Sequence, residues 1–176
     1  MIKYAKIVNE TTGLCEVGIG DDFEYYQSIG MNLIDVQESE IDGQWYLTAL
    51  CPHYSDLEKL NQAKQQKIIE NDNARDIALN QGVIYQNILF DSDTDQKVNL
   101  LATVSTIDDS DTIEWYGMNN YSLICTKQDL LNIGELITQL HSFCWTKNAE
   151  IKEQIKNAST VEEVNSIAID YNGGIE

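Results

Sequence analysis

The stretch TKQDLLNIGELITQLHSFCWTKNAEIKEQIKN, residues 126–157, decides the fold of the carboxyl-terminal half of the chain. Its first residue and Asp129 have the spacing of a helix capping box, with aspartate in place of the usual glutamate. Apolar residues then recur every three or four positions, which predicts the longest amphipathic helix of the chain, ending near Ala158. The apolar face comprises Leu130, Ile133, Ile137, Leu140 and Cys144, and it is widened by Leu136, Phe143, Ile151 and Ile155.

Two predicted hairpins and a short helix accompany this long helix. Residues 83–91 predict a hairpin that turns at Gln86-Asn87, and residues 112–125 predict a second hairpin. The run Thr160-Val-Glu-Glu163 is a further capping box, which opens a last short helix. Residues 83–176 are therefore predicted to form an α+β domain.

An acidic cluster, DSDTD at residues 91–95, precedes another predicted helix. The cluster has the start of a calcium-binding loop, but the loop positions where an EF-hand needs glycine and glutamate hold Gln96 and Ala102. We therefore interpret the aspartates as a helix cap at the positive end of the helix dipole. Along that helix we expect Val98, Leu101 and Ala102 to face inward.

Residues 1–52 predict a second, smaller α+β unit. Residues 21–29 are expected to form a short helix that Gly30 ends, and Asp42-Gly43 is a strong turn signal. Extended segments are predicted at residues 2–9, 14–19, 33–36 and 44–50.

A single uninterrupted helix is predicted between the two domains, within residues 53–82. Ser55 and Glu58 form its capping box, and Gly82 ends it. Both ends are apolar and the middle, QQKIIENDN, is polar. We interpret the middle as solvated and each end as docked on a different domain. At the rise of about 1.5 Å per residue, the two ends of the helix would lie roughly 40 Å apart.

The same helix leaves an alternative open, which is weak self-association of the chain, for example as a trimeric stalk. The residues that would carry the contact are Leu57, Leu60 and Ile68. The next heptad positions hold Lys64 and Lys67, which argues against a strong coiled coil.

The chain is strongly acidic, with 29 acidic and 11 basic residues and a formal net charge of −18. Residues 1–52 hold 9 acidic and 2 basic residues, and residues 83–176 hold 15 and 5. Such a chain repels phosphate backbones and anionic lipid, so we expect neither nucleic acid nor a membrane surface as partner. The excess charge is interpreted as a contribution to solubility.

The amino terminus and the cysteines predict a protein made in the cytoplasm. We expect no signal peptide and no membrane span, because no apolar run is long enough for either. The four cysteines include no C-x-x-C pair, and we interpret them as small buried apolar residues in a reducing compartment.

Candidate catalytic and metal-binding residues are few. The two histidines are His53 and His141, and the second lies three residues before Cys144 on the predicted long helix. Two ligands do not complete a metal site, so we interpret this pair as core residues. No nucleophile elbow, phosphate-binding loop or zinc-protease motif is present, and we predict no enzyme activity and no cofactor.

Three adjacent aromatic pairs are candidates for contact with a partner or a glycan. Since neighbouring residues of a strand face opposite sides, one member of each strand pair is free to face solvent. The alternative, core packing with one ordinary surface tyrosine, stays open. The pairs are Tyr25 and Tyr26, Trp45 and Tyr46, and Trp115 and Tyr116.

The order of sequence segments in the second half of the chain is similar to that of a known family. Between Ala74 and Tyr171 the chain runs through ARDIALNQGV, IYQNILFDSD, TDQKVNLLATV, TIEWYG, YSLICTKQDLLNI, ELITQLHSFCW and EIKEQIKNASTVEEVNSI. This order resembles a carboxyl-terminal domain of unknown biochemical function in phage and prophage tail-fibre-region proteins. The stretches YAKIVNETTGLCEVGIG and DVQESEIDGQWYL resemble the first domain of such proteins.

The resemblance implies a tail-fibre or baseplate-associated role and no catalytic residue. The expected partners are other phage tail proteins, and the expected location is the virion tail, after assembly in the bacterial cytoplasm. Three roles stay open: a structural adaptor, a fibre-assembly chaperone absent from the mature particle, and a module that contacts the host receptor.

Overall fold

A computed structural model describes residues 2–173 of the chain. The fold is α+β, and the chain divides into two compact units, Met1–Lys59 and Leu60–Glu176. The boundary lies within the helix that the sequence predicts for residues 53–82. Among the described residues, no helix combines the length and the apolarity needed to cross a membrane.

The first unit is built on a four-stranded antiparallel sheet with the strand order β1-β2-β4-β3. The predicted strand at residues 33–36 is observed slightly later in the chain, because only the last of these residues pairs with β4. The elements are β1 (Ile2–Asn9), β2 (Leu14–Gly20), α1 (Phe23–Ser28), β3 (Val36–Glu38) and β4 (Trp45–Leu47), followed by a 3-10 turn at Thr48–Leu50.

An aromatic stack lies over β2 in the first unit, whose buried apolar residues are Tyr4, Ala5, Cys15, Met31, Tyr46 and Cys51. The Tyr26 ring lies parallel to the buried Tyr4 ring with 4.5 Å between centroids, and its hydroxyl donates to the carbonyl of Ile19 at 2.9 Å. A Cβ atom at Gly18 would lie 2.3 Å from this ring, and one at Gly20 would lie 2.9 Å from it. These glycines therefore make the space that the Tyr26 ring fills.

The second unit surrounds one long helix with two hairpins and shorter helices. Its first helix begins in the last residues of the first unit, with Ser55 and Glu58 bonded as the predicted capping box. The elements are α2 (Asp56–Leu79), β5 (Val83–Tyr85), β6 (Ile88–Phe90), α3 (Thr94–Thr106), β7 (Thr112–Tyr116), β8 (Ser122–Thr126), α4 (Lys127–Asn157) and α5 (Val161–Ser166).

The predicted apolar face of α4 forms the core of this unit. Burial of apolar side chains is the main force that stabilises such a core. All five predicted residues of the face are buried, and so are Ile151 and Ile155 near the end of the helix. The buried residues packed with this face from other elements are Ala78, Val83, Phe90, Leu100 and Cys125.

The inward face predicted for α3 is wrong. Val98 is 60% exposed and Leu101 is 71% exposed, whereas Leu100 is buried. The helix carries two apolar stripes, and the stripe of Leu100 and Val104 is the one packed against the core. Helical spacing alone does not distinguish the two stripes, so contacts with α4 decide which one is buried.

Candidate functional site

The strongest polar cluster of the second unit lies between α2 and α4, and we call it the polar seam: Asn71, Asp72 and Arg75 with Asn148 and Lys152. The Asn71 side chain is fully buried. Its amide nitrogen donates to the carbonyl of Asn148 at 3.1 Å. The prediction of a solvated middle of α2 therefore fails at Asn71, although five of the nine residues 65–73 are exposed.

Asn71 also accepts a hydrogen bond from the end of the described chain. The hydroxyl of Tyr171 donates to the amide oxygen of Asn71 at 2.8 Å. A buried amide side chain without partners is costly, and here both its nitrogen and its oxygen are bonded. The seam thus joins α2, α4 and the segment after α5 around one asparagine.

Asp72 is the charged centre of the polar seam. Its Oδ1 atom lies 2.7 Å from Nζ of Lys152, 3.0 Å from Nη1 of Arg75 and 3.0 Å from the Asn148 amide nitrogen. Partial burial alone would raise the pKa of Asp72. The hydrogen bonds from Lys152 and Asn148 and the charge of Arg75 outweigh it and hold the pKa below its ordinary value.

Arg75 makes two further contacts, one with an aromatic ring and one with a second carboxylate. The guanidinium carbon lies 4.3 Å from the centre of the Trp145 ring on α4, a cation–π distance. The same guanidinium also forms an ion pair with Asp76 at 2.7 Å. With both of its cations and its carboxylate engaged, the seam is suited to holding helices together rather than to moving protons.

A second candidate site is a groove of about 420 Å³ between α3 and β7, which we call the α3–β7 groove. Tyr116 is exposed, and Trp115 is half-buried and packs against the core. Within residues 2–173, the side-chain amides of Gln96 and Asn99 form no hydrogen bond with the protein itself, since the bond between Asp93 and Gln96 uses the Gln96 backbone N–H. The lining residues are Gln96, Asn99, Ala102, Thr103, Ile113, Glu114, Trp115 and Tyr116.

The carboxylate of this groove is held in place. Glu114 accepts a hydrogen bond from the Ser122 hydroxyl at 2.7 Å. Hydrogen bonding from Ser122, and then from Tyr116, lowers the pKa of Glu114. The groove therefore combines one fixed negative charge, two free amides and two aromatic side chains, a set that can bind hydroxyl-rich or peptide ligands.

The other aromatic pairs are placed differently from this groove. Tyr25 is exposed, whereas Tyr26 belongs to the aromatic stack of the first unit. Tyr46 is buried and donates to Oδ2 of Asp42 at 2.8 Å. Trp45 is half-buried under Nζ of Lys3, which lies 4.1 Å from the ring centre. No contact with a glycan or partner follows from these positions, and that assignment stays a prediction.

The three residues proposed for self-association lie along α2. Leu57 is exposed, and Leu60 and Ile68 are half-buried. Ile68 lines a cleft of about 770 Å³ between α2 and α4, together with Ile155. Its apolar surface is thus shared with α4, and a contact with a second copy through these residues stays a prediction.

The histidine and cysteine that share a face of α4 are structural. Nε2 of His141 lies 2.9 Å from the carbonyl oxygen of Ser92, and Cys144 is fully buried. Burial raises the pKa of the Cys144 thiol, which disfavours the thiolate that a metal needs. In the described part of the chain, no three His, Cys, Asp or Glu side chains are grouped to hold a metal ion.

Sequence reasoning missed the polar seam. A usable signal was present, because Asn71 lies three, four and seven residues before Ala74, Arg75 and Ala78. This spacing places Asn71 on the same face of the helix as the apolar residue Ala78. A polar residue on the apolar face of a helix indicates a buried hydrogen-bond network when the neighbouring residues on that face are small or buried.

Comparison with known proteins identifies the family of the second unit. A family model described as a domain of unknown function, DUF4376, matches residues 62–171, a range that includes the polar seam and the α3–β7 groove. No curated protein and no solved structure matches the chain.

Proposed function

The chain belongs to the DUF4376 family of domains of unknown function, and we propose that it serves as a non-enzymatic structural adaptor in the tail of a bacteriophage or phage-like particle. In this proposal it acts in the tail-fibre or baseplate region and binds other tail proteins. It is made and assembled in the cytoplasm of the bacterial host and stays in the finished tail.

The observation that carries the proposal is that two carboxylates tie elements of the second unit together by several hydrogen bonds each. Asp129 accepts from the backbone and the hydroxyl of Thr126, from the Tyr85 hydroxyl and from Gln86. In the polar seam, Asp72 bonds to Lys152, Arg75 and Asn148. Groups held in this way stabilise one arrangement of helices, which suits a part that holds its shape under load.

The division of the chain supports an adaptor rather than a single-partner protein. Each compact unit has its own buried residues, Tyr4 and five other apolar residues in Met1–Lys59 and the α4 core in Leu60–Glu176. Two units with separate cores offer two separate surfaces, so we propose that each unit binds a different tail protein. The segment order that resembles tail-fibre-region proteins supports the same class.

Mass spectrometry of purified particles tests this proposal. An adaptor is expected in particles at a fixed ratio to the fibre or baseplate proteins, and deletion of its gene is expected to give tails that lack the attached part. If particles lack the protein while fibre assembly requires it, the protein is an assembly chaperone and the adaptor proposal is wrong.

The α3–β7 groove favours a second candidate function, which is glycan binding at the host surface. The supporting observation is that the amides of Gln96 and Asn99 are free to bond to sugar hydroxyls beside the exposed Tyr116. A glycan array with the full chain tests this. Binding should be lost in Tyr116→Ala and kept in Tyr121→Ala, which removes a tyrosine that is exposed outside the groove.

A further inference from the structure

A second apolar surface lies between α3 and α4, and we call it the α3–α4 surface. It is a groove of about 630 Å³. Leu101 within it is 71% exposed and Leu131 is 45% exposed, and Val98 lies one turn before Leu101 at 60%. Single exposed leucines are common on proteins, but exposed aliphatic residues that meet in one groove are typical of an interaction surface.

The two helices lie close together beneath this surface. A Cβ atom at Gly134 of α4 would lie 3.0 Å from the Leu100 side chain of α3. Because Leu100 and Ile137 are buried at the base of the groove, the exposed leucines lie on a packed support. A support of this kind lets a partner bury apolar area without the cost of ordering the surface first.

Two opposite charges border the groove, Lys97 from α3 and Glu135 from α4. Neither forms a salt bridge with a described residue of its own chain. Lys97 is half-buried, and this burial lowers the pKa of its amine below the ordinary value. A carboxylate from outside the chain would stabilise the charged amine.

We propose that the α3–α4 surface is a two-fold interface between two copies of this chain, in which Leu101 and Leu131 of the copies pack together and Lys97 of each copy pairs with Glu135 of the other. The inference goes beyond the proposed tail role and does not depend on it.

The argument for a second copy is charge complementarity. A two-fold interface brings the same patch of both copies together, so the patch must complement itself. A patch with one cation, one anion and aliphatic residues meets that condition. A patch that carried charges of one sign would face repulsion across a two-fold axis, whereas Lys97 and Glu135 give this patch both signs, so each can face the other in a second copy.

Sedimentation velocity of the full chain, from about 1 μM to about 100 μM, tests the proposal. The wild-type chain is expected to form dimers. Lys97→Glu alone and Glu135→Lys alone should each be monomeric, because each places like charges across the interface. An equimolar mixture of the two variants should form dimers again, because both cross pairs are then opposite in sign.

The matched control is a pair of charge changes outside the groove, Lys156→Glu and Glu150→Lys on the exposed part of α4. These variants should dimerise like the wild-type chain. If the charge variants lose helical circular dichroism, Leu101→Asn replaces them, since Leu101 contributes little to the core. This variant should raise the dissociation constant at least about tenfold.

A wild-type chain that stays monomeric throughout the range would overturn the proposal. So would dimers that none of the groove variants weakens, a mixture that stays monomeric, or a wild-type trimer. A monomer that binds a different tail protein through Leu101 would show that the surface has another occupant, and it would also overturn the two-fold interface.

Discussion

Replacing Asn71 by alanine tests whether the polar seam stabilises the second unit. The substitution removes the hydrogen bond to the Asn148 carbonyl and the hydrogen bond from the Tyr171 hydroxyl. Each is worth about 1 kcal/mol of unfolding free energy, and leaving a buried partner unbonded adds about 1 kcal/mol or more. We therefore expect a loss of about 3 kcal/mol.

The expected loss corresponds to a large thermal shift. For a unit of the size of Leu60–Glu176, about 3 kcal/mol lowers the midpoint of thermal unfolding by about 10 °C. The assay is urea and thermal unfolding followed by circular dichroism at a helical wavelength, which reports chiefly on α2 and α4 because they are the longest helices.

Asn73→Ala is the matched control, because Asn73 is exposed on the same helix. It changes the same side chain without removing a buried contact, and it should alter the unfolding free energy by no more than about 0.5 kcal/mol. If Asn71→Ala is no more destabilising than this control, the seam does not stabilise the unit and the reasoning is refuted.

A double-mutant cycle locates the effect within the seam. Tyr171→Phe removes only the hydroxyl that bonds to Asn71 and should cost about 1 kcal/mol. Because the two side chains share that bond, the costs in the double variant should fall short of additivity by about 1 kcal/mol. Additive costs would show that the two residues act independently.

Three further predictions concern other parts of the chain. Gly18→Ala should lower the unfolding free energy of the first unit by about 2 kcal/mol, because a Cβ there displaces the Tyr26 ring, whereas Glu16→Ala on the same strand should have little effect in urea unfolding. Hydrogen bonds from the Thr126 hydroxyl and backbone, and then from Tyr85, hold the pKa of Asp129 in the folded chain below its ordinary value. The ionised carboxylate therefore stabilises the fold fully at a pH above the ordinary pKa, and this stabilisation is lost as the pH falls through the pKa of the folded chain. Urea midpoints measured above and below this pH range should fall in acid for the wild-type chain and should depend less on pH in Asp129→Asn. Midpoints that fall equally with pH in both chains would contradict the assignment. Burial raises the pKa of the Cys125 thiol to about 11, so a thiol reagent at pH 8 should label Cys125 only after unfolding, as peptide mass mapping would detect; labelling of the native chain would contradict this.

The sequence by itself determined the elements whose causes are local. The capping box of Thr126 and Asp129 and the aspartate cap at Asp93 join groups three residues apart, so they are visible in the order of residues. The turn at Gln86-Asn87 is observed with positive φ at both residues, as a tight hairpin turn requires. The apolar face of α4 was predictable because its apolar residues recur at helical spacing along a single face.

The tertiary structure decided what depends on distant neighbours. On α3 two apolar stripes compete, and only contact with α4 determines that Leu100 is buried while Leu101 is exposed. In the polar seam the partners of Asn71 lie 77 and 100 residues away along the chain. Local propensity acts over a few residues, whereas burial and long-range hydrogen bonds depend on which surfaces meet, and that is settled only when the chain packs.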